Sequence, residues 1–172
     1  MKTLILYSST DGQTQKIAEF IAQHLNGEIR CEPLLATRNL QNFDRIIIGA
    51  SIRYGHFNPQ LNEFIEKNAL ALHVKRAAFF AVNLTARKAG KDTPETNAYV
   101  RKFLKTSRWN PAYCAVFAGA LRYPQYDFFD RTMIRFIMKL TNGETNPTKE
   151  IEYTNWEKVR QFAQYLAQEY QQ

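Results

Sequence analysis

A chain of 172 residues, 45% hydrophobic and 23% charged, has the composition of an ordinary folded domain with a sizeable core. Its formal net charge of +7 is less ordinary and points to an anionic partner: phospholipid surface, acidic substrate or nucleic acid. Two cysteines, Cys31 and Cys114, exclude a disulfide framework and read as buried free thiols suited to a reducing cytosol.

The opening MKTLILYSS has too short an apolar part for a signal peptide, and its TLILYS (3–8) predicts the first strand. QTQKIAEFIAQHL (13–25) sets Ile17, Phe20, Ile21 and Leu25 at helical spacing, with Asn26 and Gly27 closing that helix. EIRCEPL (28–34) predicts an edge strand and DRIIIGAS (44–51) a buried one, followed by a helix from about Pro59 to Ala71. AAFFAVNL (77–84) predicts the fourth strand. TPETNAYVRKFLKTS (93–107) predicts a helix opened by Thr93, with Pro94 at its first position. AYCAVFAGAL (112–121) predicts the fifth strand. The last helix is expected to start at Thr154, with Glu157 completing a capping box and Trp156, Val159, Phe162, Ala163 and Leu166 turned inward.

Strands this apolar, alternating with helices, predict an α/β fold: a doubly wound, five-stranded parallel sheet in the order 2-1-3-4-5. Residues 1–172 read as a single domain, interrupted by an insertion at about 122–148. No apolar run approaches the ~20 residues a bilayer span needs. Within the insertion, however, YDFFDRTMIRFIMKL (126–140) aligns Arg131, Arg135 and Lys139 in one helical stripe. Phe129, Met133, Phe136, Ile137 and Leu140 cover most of the other side. Such a helix is expected to lie on an anionic membrane surface, its cations reaching lipid phosphate; packing on its own domain or a second subunit is the alternative.

Ligands of open α/β sheets bind beyond the carboxyl ends of the strands. SSTDGQT (8–14) meets that place with the hydroxyls of Ser8, Ser9, Thr10 and Thr14, a turn at Gly12 and the first amides of a helix. It lacks the P-loop lysine, the three-glycine dinucleotide fingerprint and a pair of acidic residues for a metal, so a monophosphate is expected and no metal. GASIRYGHF (49–57) and VNLTARKAGK (82–91) are placed to flank a flat ring, with faces from Ile52, Tyr54 and Leu84. Ring plus monophosphate suggests FMN. Arg53, Arg87, Lys88 and Arg122 fall on the loops around that ring.

The 8–14 loop resembles the flavodoxin phosphate loop, Thr/Ser-x-Thr-Gly-x-Thr, with Asp11 where a hydroxyl residue is usual. DGQT, GASIRYGH, VNLTARK, NPAYCAVFAGALRYPQY, NGET and YTNW resemble, over nearly the whole chain, the flavodoxin-like, quinone-dependent protoporphyrinogen IX dehydrogenases of bacteria. The resemblance implies FMN held by Ser9, Thr10, Asp11, Gly12, Gln13 and Thr14, by Ser51, Ile52, Arg53, Tyr54 and Gly55, and by Asn83, Leu84, Thr85, Ala86 and Arg87. It implies protoporphyrinogen IX as donor, its propionates suited to Arg53, Arg87, Lys88 and Arg122, and menaquinone or ubiquinone as acceptor. The work would belong to haem synthesis, peripheral on the cytoplasmic face of the inner membrane. No nucleophile is needed; His56 is the one candidate proton acceptor and His24 reads as structural or exposed. Two other readings stay open: a flavodoxin-like NAD(P)H:quinone reductase or electron carrier, and a non-enzymatic basic membrane-surface module. Nucleic acid is not expected, because the basic residues follow no recognised binding motif.

Overall fold

The computed structural model describes residues 1–36 and 39–169. β1 (Lys2–Ser8) pairs in parallel with β2 (Glu28–Pro33) on one side and β3 (Arg45–Arg53) on the other. β3 continues to β5 (Ala78–Asn83), and β5 to β6 (Tyr113–Ala118), again in parallel. The order 2-1-3-5-6 is the expected one with a strand added to the count. That strand is β4 (His56–Phe57), which folds back antiparallel on the end of β3. The residues joining them, Tyr54 and Gly55, have φ of 51° and 79°, the double positive φ that a tight two-residue hairpin requires. What the sequence offered as an open loop is therefore a hairpin.

The continuous apolar runs are explained by burial on both faces. Leu4, Leu6, Ile46 and Ile48 point to one side, against α2 (Pro59–Val74) and α3 (Ala98–Thr106). Ile5 and Ile47 point to the other, against α1 (Gln13–Gln23) and α5 (Trp156–Glu169). Each of these strand residues is fully buried, a contribution of about 1.5–3 kcal/mol relative to exposure. Gly49 keeps β3 glycine-thin there: a Cβ would fall 2.0 Å from Cζ of Phe80. Cys31 and Cys114 are free and half-buried. Burial pushes their thiols up to about 11 and about 12, so both stay protonated and unreactive.

Three boundaries differ from the sequence reading. α3 begins at Ala98, not near Thr93, because Asn97 is the cap: its side chain accepts from the Val100 amide at 3.3 Å. Thr93 and Thr96 bond one another instead. α5 begins at Trp156 with Asn155 as its cap, accepting from the Lys158 amide. Thr154 is drawn off to the Ala118 carbonyl, and Glu157 pairs with Arg160, so no capping box forms. The fifth strand breaks at Gly119; Ala120–Arg122 is a separate strand, β7, antiparallel to β8 (Glu150–Glu152).

Between these two short strands lies α4 (Phe128–Leu140), capped by Asp127 through the Asp130 amide. Leu121, Tyr123, Tyr126, Ile134 and Met138 bury one another in a small core of their own. The segment from Ala120 to Glu152 thus packs as a cap over the carboxyl end of the sheet.

Candidate functional site

A cavity of about 440 Å³ opens at that end, between the strand termini and α4. Its floor is the loop from β1 to α1. Gly12 caps α1 with φ of 88°, a conformation that costs a side chain about 1–2 kcal/mol. Ser9 Oγ accepts from the Gly12 amide, Asp11 Oδ1 accepts from the Gln13 amide, and Thr10 and Ser51 share a hydroxyl contact of 3.3 Å. Thr14 is fully buried, lines the cavity, and its Oγ1 has no partner. A buried hydroxyl left alone costs about 1–3 kcal/mol, a debt that a phosphate oxygen would cancel.

Above the loop is a slot. Ile52, Tyr54 and Gly55 of the hairpin form one wall, with Tyr99 of α3 against Gly55. Asn83, Leu84 and Thr85 form the other. Asn83 is buried; its Oδ1 accepts from the Ala86 amide and from Asn97 Nδ2, which leaves its own Nδ2 unpartnered at the cavity. Met133, Ile134, Ile137 and Met138 of α4 roof the slot.

α4 is latched at both ends. Near its start, Asp130 Oδ2 accepts from Arg53 at 2.7 Å, and Oδ1 accepts from the Tyr54 hydroxyl. Arg53 also lies over the Tyr126 ring. Burial, then the Asp130 contact, pushes the Tyr54 phenol up to about 12. At the far end Arg87 donates to the Leu84 carbonyl at 2.8 Å and to Thr141 Oγ1 at 2.9 Å.

The expected site residues divide accordingly. Thr10, Asp11, Gln13, Thr14, Ser51, Ile52, Arg53, Tyr54, Gly55, Asn83, Leu84, Thr85 and Arg87 all line the cavity. Ser9 and Gly12 shape the loop beneath it. Lys88 and Ala86 line a second cleft of about 320 Å³, which has Arg87 in common with the first. Arg122 is outside the cavity lining and holds the loop itself, donating to the Asp11 carbonyl at 2.7 Å and to Gln13 Oε1 at 2.6 Å. His56 is exposed on β4, outside the cavity lining. His24 Nδ1 donates to the Phe20 carbonyl, a structural contact.

On α4, Phe129, Phe136 and Leu140 are 67%, 58% and 68% exposed, but Met133 and Ile137, expected beside them, face the cavity. Arg131 and Arg135 hold the carbonyls of Tyr126 and Thr145, while Lys139 is exposed. Tyr99, Tyr126, Asp130 and Thr141 were not foreseen at the site. Nothing local marks them; only the packing of α3 and α4 brings them there. Ile134 and Met138, four apart in the 126–140 stretch, carried the one readable signal for a buried side.

A doubly wound sheet with a phosphate-ready loop under a ring-sized slot is the architecture of a flavodoxin-type, flavin-binding protein. The chain belongs to the flavodoxin domain family, whose model matches residues 4–148. Solved structures agree on the fold: an archaeal flavodoxin covers all of both chains at 14% identity with a TM-score of 0.55. A short-chain flavodoxin associated with a PDU bacterial microcompartment covers 99% of both at 10% and 0.57. More specifically, the chain is 49% identical to the protoporphyrinogen IX dehydrogenase [quinone] of Escherichia coli K12, across 97% of this chain and 95% of that protein. The Leishmania major protein of the same name is also 49% identical, across 96% and 74%. Among the described residues, no cluster of His, Cys, Asp or Glu is placed to hold a metal.

Proposed function

We propose that this protein oxidises protoporphyrinogen IX to protoporphyrin IX, using FMN and passing the electrons to a membrane quinone. The observation that carries this reading is the 49% identity, running along nearly the full length of both chains, to proteins named for that reaction. The site supports FMN through two orphaned groups: Thr14 Oγ1 at the loop, suited to a phosphate, and Asn83 Nδ2 at the slot, suited to a ring carbonyl. When bound, FMN supplies the two-electron chemistry, so three rounds complete the six-electron oxidation.

The chain's own residues bind and orient. Residues 9–14 offer amides and hydroxyls to the phosphate. Met133 and Ile137 present an apolar edge to the macrocycle, methionine adapting to its outline. Arg87 has donors beyond those given to Leu84 and Thr141 and is the cation best placed for a propionate. Arg53 is already neutralised by Asp130. With His56 outside the lining, the displaced pyrrole proton goes to solvent at the mouth.

Attachment to the cytoplasmic leaflet of the inner membrane belongs to the same proposal. No helix among the described residues is long and apolar enough to cross a membrane, yet α4 holds Phe129, Phe136 and Leu140 outward beside Lys139 and Arg135. A quinone dissolved in the bilayer requires such proximity.

The test is anaerobic mixing of FMN-loaded protein with protoporphyrinogen IX and a quinone, followed by porphyrin fluorescence. Fluorescence growing with quinone concentration is expected. No porphyrin, together with rapid flavin bleaching by NAD(P)H, would replace this reading with an NAD(P)H:quinone reductase.

A further inference from the structure

We propose that Arg122 is the fixed cation of the phosphate site, delivered to the loop by β7, and that it sets the protein's preference for FMN over unphosphorylated riboflavin. The inference rests on the FMN reading above. The loop itself brings no lysine, and it carries an acid: Asp11, whose carboxylate already occupies the Gln13 amide. A dianionic phosphate placed there meets one negative charge and only dipoles in its favour.

Arg122 answers that deficit. Its two Nη groups grip the loop at the Asp11 carbonyl and the Gln13 side chain, both neutral acceptors. Nη1 would lie 4.0 Å from a Cβ placed on Gly12, the residue at the apex of the loop. Among the described residues Arg122 has no carboxylate within ion-pair distance. A half-buried guanidinium bound only to neutral groups keeps its full charge for a ligand. The nearby carboxylate of Glu152 is spent elsewhere: it accepts from Lys16 at 2.6 Å and from Trp156 Nε1 at 2.7 Å.

The grip is rigid. Gln13 is buried, and its Nε2 donates to Thr154 Oγ1 at 2.8 Å and to Glu152 Oε2 at 3.1 Å. The Arg122 amide donates to the Tyr126 hydroxyl. Loop, β7 and β8 are thereby one unit, with the cation's position determined before any ligand arrives. A second, independent group marks the same place as a ligand site: the buried, unpartnered Thr14 Oγ1.

The test compares dissociation constants for FMN and riboflavin in the wild type, Arg122→Gln, Arg122→Met and Arg122→Lys, by quenching of flavin fluorescence. The neutral variants should lose about 10- to 100-fold in FMN affinity, the range of one charge-assisted contact, and less than threefold for riboflavin. Arg122→Lys should recover part of the loss. Riboflavin binding reports folding, and Arg122→Gln, which can still donate to the Asp11 carbonyl, protects against a collapsed loop. An FMN-to-riboflavin ratio unchanged in a folded neutral variant overturns the assignment. If the wild type binds neither flavin, the FMN reading itself falls and this inference with it.

Discussion

The hydroxyl of Tyr54, at the tip of the β3–β4 hairpin, donates to the carboxylate of Asp130 in the first turn of α4. Seventy-six residues separate the two in sequence, and their contact joins the wall of the slot to its roof. The same carboxylate holds Arg53, so one side chain closes one end of the cavity.

Asp130→Asn should loosen that end. Because the folded Tyr54 pKa is raised, its contribution to stability is present below the ordinary tyrosine value near 10 and is lost as pH rises through about 12. Removing the carboxylate should move the Tyr54 titration downward, though not all the way, since burial is the larger cause. Ultraviolet titration of the tyrosines checks the shift. Hydrogen exchange should show α4 amides losing protection worth roughly 1–3 kcal/mol. An unmoved titration would mean that Asp130 does not hold Tyr54 in solution.

Gly12 and Gly90 form a matched pair for the loop. Both have positive φ, 88° and 73°, and neither has a neighbour closer than 4.0 Å to a new Cβ. Alanine at either should destabilise by about 1–2 kcal/mol, a few degrees in Tm for a chain of this size. On the proposed FMN reading, Gly12→Ala should also weaken FMN binding and Gly90→Ala should not, because Gly12 lies in the loop proposed to meet the phosphate. Equal FMN affinities in the two variants would move the phosphate away from residues 9–14.

Arg87→Ala should lower kcat/KM for the porphyrinogen by about 10- to 100-fold, the loss of one charge-assisted hydrogen bond, with flavin retention within about threefold. Thr141→Val tells contact from positioning, since it removes the shorter of the two Arg87 bonds to Thr141, leaving the longer one to the backbone carbonyl, and leaves the cation in place. If Thr141→Val reproduces the full kinetic loss, Arg87 acts by fixing the roof and not by meeting a propionate.

The outward face of α4 is best tested through its apolar side chains, since Arg131 and Arg135 also hold local carbonyls. Changing Phe129, Phe136 and Leu140 together to Ser removes three exposed anchors without touching the roof. At roughly 1 kcal/mol each for partial burial in an interface, the triple variant should bind anionic liposomes about a hundredfold more weakly. Its activity with a membrane quinone should fall far more than with a soluble acceptor. Co-sedimentation equal to wild type would show that this face meets protein, not lipid.

The parallel sheet and the polar turn at residues 8–14 were legible in the chain because each is a local signal, and the strand order followed from the alternation of strands and helices. Runs such as RIIIGAS must be buried on both faces, and a hydroxyl-rich turn before an amphipathic helix presents its amides wherever it occurs. The helix at 128–140 was legible too, by its periodicity. Its use was not. Which of its apolar residues roof the slot and which face outward depends on where Ile134 and Met138 find a core, and that core is made by Leu121, Tyr123 and Tyr126. The cap at Asn155 displaced the better-looking Thr154 because a distant partner, the Ala118 carbonyl, takes that hydroxyl, and the cap at Asn97 displaced Thr93 because Asn83 fixes the Asn97 side chain while Thr93 bonds Thr96. Arg122 shows the limit most plainly. By sequence it was a cation on a loop near the ring; the antiparallel pairing of β7 with β8 brings it against Asp11 and Gln13, 111 and 109 positions away in the chain. Long-range pairing of this kind leaves no local trace, because the energy that decides it comes from partners brought together by the whole fold.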